Sequence, residues 1–341
     1  MIGRVLRGTA RISRRVFIAI AVVVVAAILG IAGILRLRRP PVTPTPTPMA
    51  TPTPTETPQV TPTPPTPDLV VSRVDKVPVR DPDDPVWGKA REVEFSLGPQ
   101  AMVKPFKLAP SVTSVKVRAL RDEEWIAFRL EWVDGESNLR SFDVHEFRDA
   151  CAVMMLSHPI PADKLGIAWQ MGTPEHPTTI LFWRGDWQLD IEKSYQDITD
   201  IFPNMAIDTY PPYHPAVVKE EEPKPKKIGL VKEELRYIAG FSAGNPMVRL
   251  DKKSPVEKLI GKGPGTIEEA KDQDAEGWGK FADGRWRVVL AKKLKATNPD
   301  QGELEIKPGS YYYIAIAVWQ GSEGDRGSRK AITPLKLIFV E

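Results

Sequence analysis

Hydrophobic and polar positions follow different rules in successive parts of this chain. Residues 16–35 form an unbroken apolar run of Val, Ile, Ala, Leu, Gly and Phe. At about 1.5 Å per residue such a run matches a hydrocarbon core of roughly 30 Å, which predicts one transmembrane helix. Residues 36–68 are dominated by Pro and Thr, as in Thr43-Pro44-Thr45-Pro46. A segment of that kind cannot build a core and predicts a semi-stiff polyproline II stalk, its part from Pro40 to Pro67 having a reach on the order of 80 Å. Beyond it, period-two alternation takes over. Within 125–132, Ile126, Phe128, Leu130 and Trp132 share one face and Arg129 and Glu131 the other, with Asp134-Gly135 as the turn that follows. This predicts a half-buried strand, and Val115 and Val117 mark its antiparallel neighbour across Arg121-Asp122-Glu123. Further strands are predicted at 92–97, 150–156, 179–183, 285–290, 311–319 and 335–340. The stretch 312–319 is apolar on both faces, which places it in the centre of a sheet covered on both sides.

Helix signals are few. Ser254-Pro255-Val256-Glu257 has a capping Ser before Pro at the first helical position, and Thr266-Ile267-Glu268-Glu269 has capping-box spacing. The fold class that follows is mainly β: an antiparallel β-sandwich with a few short helices, preceded by one transmembrane helix. The expected layout is a basic cytoplasmic segment 1–15, the span 16–35, the stalk 36–68 and one domain 69–341. A Pro-rich, charged surface insertion is expected near 203–227, because Pro211-Pro212, Pro215, Pro223 and Pro225 interrupt any regular pattern.

Charge sets the orientation. Arg4, Arg7, Arg11, Arg14 and Arg15 precede the apolar run, against Arg36, Arg38 and Arg39 after it, so the bias puts the N-terminus in the cytoplasm. The expected location is the cell membrane, crossed once, with the globular domain extracytoplasmic. Lys and Arg total 47 against 44 Asp and Glu, a net charge of +3. That near balance leaves no nucleic-acid footprint. Cys151, the single cysteine, excludes an intramolecular disulfide, a cysteine-bound iron–sulfur cluster and the Cys-x-x-Cys-His attachment of a c-type haem. In its strand context it reads as a small buried hydrophobe. No Gly-x-Ser-x-Gly, His-Glu-x-x-His or P-loop occurs, and Gly261-x-Gly263-x-Gly265 reads as a turn rather than a dinucleotide fingerprint. The histidines are scattered, and His158, His176 and His214 each directly precede Pro, which reads as loop placement.

Several segments carry a resemblance when taken in order. They include Asp81-Pro82-Asp83-Asp84-Pro85-Val86-Trp87, Ala127-Phe128-Arg129-Leu130-Glu131-Trp132-Val133-Asp134 and Phe147-Arg148-Asp149-Ala150-Cys151-Ala152-Val153. Gly263-Pro264-Gly265-Thr266, Asp283-Gly284-Arg285-Trp286-Arg287-Val288-Val289 and Ile314-Ala315-Ile316-Ala317-Val318-Trp319-Gln320-Gly321 follow. Across roughly residues 70–341 the chain resembles the ethylbenzene-dehydrogenase-type haem-binding domain. The resemblance implies a β-sandwich holding one non-covalent haem b between axial Met and Lys ligands. It also implies an electron-transfer subunit, not itself a catalyst, working with a molybdopterin catalytic subunit and an iron–sulfur subunit or another redox protein.

By family position the thioether falls to Met171, with Met155 and Met154 in reserve, and the amine to Lys330, with Lys292 and Lys293 as rivals. Met205 is disfavoured by its place at the start of the insertion. Arg326 and Arg329 are the implied partners of haem propionates, since guanidinium binds carboxylate in a forked geometry. Each has a plainer alternative: a core methionine, a solvated lysine or a surface arginine. A function from another class also stays open. A Trp-rich sandwich on a surface stalk could be a carbohydrate-binding module, with Trp169, Trp183 and Trp187 as stacking platforms.

Overall fold

The structure, a computed structural model, describes residues 64–141, 144–193, 202, 204 and 252–341. The chain divides into two units, Met1–Thr63 and Pro64–Glu341, and the described residues belong to the second. Among them no helix is long and apolar enough to cross a membrane. The expected span 16–35, most of the stalk, and the insertion near 203–227 apart from Asn204 lie outside the described residues.

The first sheet contains β2 (Val93–Ser96), β3 (Ser114–Arg121), β4 (Trp125–Val133), β9 (Glu276–Ala282) and β10 (Arg285–Lys293), in the order β2-β3-β4-β10-β9. The second contains β5 (Ala150–Ser157), β6 (Thr178–Arg184), β7 (Val256–Gly261), β8 (Glu268–Glu269), β11 (Ser310–Trp319), β12 (Ala331–Ile332) and β13 (Lys336–Val340). Its order is β8-β7-β6-β5-β11-β13, with β12 also on β11. β1 (Leu69–Arg73) joins the two, pairing with β13 through Leu69–Val71 and with β3 through Ser72 and Arg73. Both β1 pairings are parallel while those between the other strands are antiparallel, so the expected antiparallel sandwich is mixed at this seam. The first and last strands lie side by side there, which closes one edge of the core.

Alternation explains the core. Ile126, Phe128, Leu130 and Trp132 point inward from β4, while Arg129 and Glu131 point outward and pair at 3.0 Å. From the facing sheet come Cys151, Val153 and Met155 of β5 and Ile314, Ile316 and Val318 of β11. Trp132, Trp183 and Trp286 meet across the gap at centroid distances of 4.9 to 6.5 Å. Gly279 on β9 makes room for them, since a Cβ there would stand 2.5 Å from the Trp183 ring. Burial pushes the Cys151 thiol well above its ordinary value, consistent with an inert core residue.

Two helix expectations are corrected. Val256 begins β7, not a helix: Ser254 Oγ accepts from the near Val256 N–H at 3.2 Å, and 256–261 is drawn into a ladder with β6. Glu268 and Glu269 form β8, because the Thr266 hydroxyl closes a turn onto Gly263 O at 2.8 Å and the chain then pairs with Leu259 and Ile260. In both places tertiary pairing overrides a local preference. Among the described residues the α-helices are α1 (Ala162–Ala168) and α2 (Gly185–Lys193).

A buried ionic cluster ties β7 and β10 to the chain before β11. Glu303 Oε2 accepts from Asn298 N at 2.8 Å, Thr297 N at 3.0 Å and Lys258 Nζ at 3.1 Å, and Lys292 Nζ lies 3.4 Å from Oε1. Burial pushes the Glu303 carboxyl up, but Asn298, Lys292 and Lys258 together hold it down at about 2. Its depressed value means the stabilisation is present above the usual glutamate value of 4.5 and is lost as pH falls toward 2. Urea unfolding across that window should show the loss, and Glu303→Gln should flatten it. At neutral pH, Glu303→Ala should destabilise by about 3–5 kcal/mol, because it removes the carboxylate beside buried Lys292 and leaves buried Lys258 with Asp274 as its ion-pair partner.

Candidate functional site: an apolar cavity on the outer face of the second sheet

Both β5 and β11 are buried on both faces. The residues between their core positions, Ala150, Ala152 and Met154 on β5 and Ala315, Ala317 and Trp319 on β11, point away from the core into a second apolar cluster. They stand opposite one another in register: Ala150 to Trp319, Ala152 to Ala317, Met154 to Ala315. Ile180 and Phe182 of β6 continue the surface. The four alanines make a low, flat floor, above which lies a cavity of about 590 Å³. That is the size of a small-molecule or cofactor site.

One wall rises from the β6–β7 side. After α1 the chain turns through Trp169 and Gln170 to Met171, whose φ is 74°, and Gly172, whose φ is 83°. A left-handed backbone is uncommon for a residue with a long side chain. It is held here by Gly263 N–H donating to Met171 O at 2.9 Å. Gly172 cannot be replaced without strain, since a Cβ there would meet backbone atoms of Gly261, His176 and Thr178 at 2.9 to 3.0 Å. The reversal leaves Met171 half-buried on the cavity lip. Backbone strain of this kind is characteristic of functional positions.

The other wall rises from the β11–β12 side. Arg326 and Arg329 close a tight turn through mutual backbone hydrogen bonds of 3.2 and 2.9 Å, and Lys330 follows, directly before β12. The Lys330 side chain enters the cavity with Nζ 4.6 Å from the centre of the Trp319 ring. It has no ion pair among the described residues, and burial pushes its pKa down to about 8. Trp319 is fixed beneath it by Nε1 donating to Gly327 O at 2.9 Å and by contact with Phe182 at 4.9 Å.

Met171, Lys330, Met154 and Arg326 therefore line one cavity. The other expected residues lie elsewhere. Met155 is wholly buried in the inter-sheet core, on the opposite face of β5. Lys292 is sealed in the Glu303 cluster and donates to the carbonyls of Lys293 and Leu304 at 2.5 and 3.0 Å. Lys293 is half-exposed, 3.4 Å from Glu124 and over the Trp125 ring. Arg329 turns to Asp325 at 3.3 Å and Phe106 O at 3.0 Å, while the exposed Arg326 covers the Phe147 ring at 4.8 Å. Met205 lies outside the described residues. Trp183 and Trp187 are 0% and 3% exposed, so they share no open platform with Trp169, which is half-buried on the cavity wall. Among the described residues, no group of three or more His, Cys, Asp or Glu could hold a metal ion.

Sequence reasoning missed a polar end to this cavity. Arg184 pairs with Glu257 at 3.0 Å and Asp186 at 3.3 Å, and Arg148 pairs with Asp186 at 2.9 Å. Burial pushes the Glu257 carboxyl up despite Arg184 beside it. The signal was the β6 alternation itself, since Ile180 and Phe182 extrapolate directly to Arg184.

An apolar cavity of ligand size thus lies on the back of a curled β-sheet in a β-sandwich-like fold, with a thioether and an amine that has no ion pair among the described residues in its walls. The family model described as ethylbenzene dehydrogenase matches residues 84–201 and 251–331, and the chain belongs to that family. A protein of Haloferax mediterranei, named as a respiratory nitrate reductase heme subunit, is 19% identical over 254 residues. The match takes in 74% of this chain and 66% of that relative, just under two thirds of its length. Among solved structures, a family 9 carbohydrate binding module from Caldicellulosiruptor kristjanssonii in complex with glucose overlaps at TM-score 0.36 and 9% identity. The overlap covers 80% of this chain and 95% of that one. The same module in complex with cellotriose overlaps at TM-score 0.35 and 8% identity, covering 80% and 93%. Overlaps this low carry no functional argument.

Proposed function

We propose that the chain is a haem-binding electron-transfer subunit of a respiratory-type oxidoreductase complex, holding one non-covalent haem b in the cavity above the alanine floor. The observation that carries this is the convergence of Met171 and Lys330 on one apolar cavity, the amine having no carboxylate partner among the described residues. The residues present fit the group. The floor of Ala150, Ala152, Ala315 and Ala317 leaves room for a flat ring, and aromatic and aliphatic side chains complete the surround. Bound haem supplies a one-electron iron couple.

Met171 offers a soft sulfur, which favours the ferrous state. Lys330 offers nitrogen, and burial lowers the cost of reaching the neutral form that binding a metal requires. If Met171 and Lys330 both held the iron, the chain would leave none of its coordination to a substrate, which is why electron transfer rather than catalysis is the proposed role. Arg326, exposed at the mouth, is the guanidinium offered to carboxylate substituents, while Arg148 and Arg184 at the polar end are engaged by Asp186 and Glu257. Cys151 faces the inter-sheet core, away from the cavity, which supports a non-covalent attachment.

We further propose that residues 16–35 span the membrane and that the Pro/Thr segment carries the domain outside the cytoplasm. Such a tether keeps a redox domain near its membrane electron carriers at high effective concentration. The proposed partners are a molybdopterin catalytic subunit and an iron–sulfur subunit, and the name of the Haloferax relative supports a reductase complex. Purification from native membranes tests both ideas. The chain should sediment with membranes and bring molybdenum and iron–sulfur subunits with it after gentle solubilisation. A chain recovered from the soluble fraction and free of such subunits would contradict the anchor and the complex.

A further inference from the structure

The turn that presents Lys330 is fastened to a loop from a distant part of the chain. Between β2 and β3 the backbone leaves the sheet as a loop in which Gly98 pairs with Ile332, and Gln100 and Lys107 exchange backbone hydrogen bonds of 2.9 Å. Lys107 is 2% exposed, and its side chain turns inward. Its Nζ lies 2.8 and 3.0 Å from the two Asp325 carboxylate oxygens and also pairs with Glu323. Asp325 is itself 4% exposed and accepts from Gln320 N at 3.1 Å.

Other contacts run along the same seam. Gln100 Nε2 donates to Ser328 O at 2.7 Å, Ser328 Oγ to Pro105 O at 3.2 Å, and an Arg329 Nη to Phe106 O at 3.0 Å. Asp325, Ser328 and Arg329 all belong to the turn that ends in Lys330. Asp325 and Lys330 line the same cavity, yet the Asp325 oxygens are already engaged by Lys107, Arg329 and Gln320. A lysine side chain has a long, freely rotating stem, so where its amine rests depends on how its backbone is held and on which anions compete for it.

We propose that Lys107 is a positioning residue: its buried ion pair with Asp325 pins the 325–330 turn and occupies the nearest carboxylate, leaving the Lys330 amine free in the cavity. This deepens the proposed function and rests on Lys330 as an iron ligand. The arrangement separates the two lysines by role. Lys107 is consumed by Asp325 and Glu323 and does not line the cavity, while Lys330 lines it and has no ion pair among the described residues.

The test titrates haemin into the full chain and into Lys107→Met, Lys330→Ala and the double variant, with folding followed by circular dichroism. The parent spectrum is read first. A parent that takes up no haemin removes the ligand reading and this inference with it, whereas the variants speak to Lys107 alone. Lys107→Met should remain folded, lose at least tenfold in haemin affinity and take on the Lys330→Ala spectrum. The double variant should match Lys330→Ala, because both changes act on one ligand, and Lys107→Arg should recover the parent spectrum. A folded Lys107→Met with parental spectrum and affinity, or a double variant that loses further affinity, would overturn the role. Should Lys107→Met fail to fold, Gln100→Ala loosens the same seam without stranding a buried charge. A mixed spectrum containing the Lys330→Ala form supports the role there, and a parental spectrum overturns it.

Discussion

Ala317→Phe should abolish haem uptake while leaving the sandwich folded. Ala317 sits mid-floor, opposite Ala152, with its Cβ facing the cavity, and its neighbours Ile316 and Val318 face the inter-sheet core. A phenyl group placed there rises into the space a planar ring would need, yet touches none of the contacts between the sheets. The same bulk introduced on the inner face, as in Ile316→Phe, should instead overpack the core at a cost of about 1–3 kcal/mol and leave the cavity open. Haemin titration and urea unfolding of the two variants should therefore give opposite patterns: binding lost with stability kept for Ala317→Phe, and stability lost with binding kept for Ile316→Phe. Parental affinity in Ala317→Phe would place the ligand somewhere other than this cavity.

The second large effect is expected at Met171. Met171→Leu retains most of the side-chain volume and carries the same left-handed backbone penalty at φ 74°, so the sulfur is the principal loss. The haem-loaded variant should change from a low-spin to a high-spin or water-ligated spectrum. Its reduction potential should fall, because the thioether stabilises ferrous iron preferentially. A tenfold or larger loss of ferrous over ferric affinity is expected, about 1.4 kcal/mol. An unchanged spectrum and potential would remove Met171 as a ligand and turn attention to Met154, the other sequence candidate on the cavity.

Much of the sheet was legible in the chain because burial imposes a period of two. The alternation in 125–132 predicted the inward face of β4, and the doubly apolar stretch 312–319 predicted a strand covered on both sides. What that second pattern also encoded was the floor of the site. Ala315 and Ala317 alternate with Ile314, Ile316 and Val318, so one strand serves the core with large residues and the cavity with small ones. β9 was missed for the converse reason. Gly277 and Gly279 add no large apolar residue to its alternation, and they are glycine because Val289 O and the Trp183 ring crowd the positions a Cβ would take.

α1 and α2 were also missed, being too short to display a helical period. The helix signals at Ser254 and Thr266 were real local hydrogen-bonding preferences, used in turns that lead into strands. Of the site, the resemblance singled out Met171 and Lys330, and the fold brings them to one cavity. The fastening of the Lys330 turn was not legible, because the Lys107 to Asp325 contact spans 218 residues of sequence and no local pattern announces it. At the polar end the β6 alternation points to Arg184, but its joining with Glu257 and, through Asp186, with Arg148 links separate strands and loops.

The most direct measurement is the haem content of the purified full chain, read by absorbance before and after extraction with acidified organic solvent. One haem per chain is expected, low-spin in both oxidation states, unreactive toward carbon monoxide when reduced because both axial positions are filled, and wholly released by the extraction. A chain that binds no haem, or a reduced form that takes up carbon monoxide at once, or haem that stays attached through the extraction, would contradict a six-coordinate haem b held in this cavity.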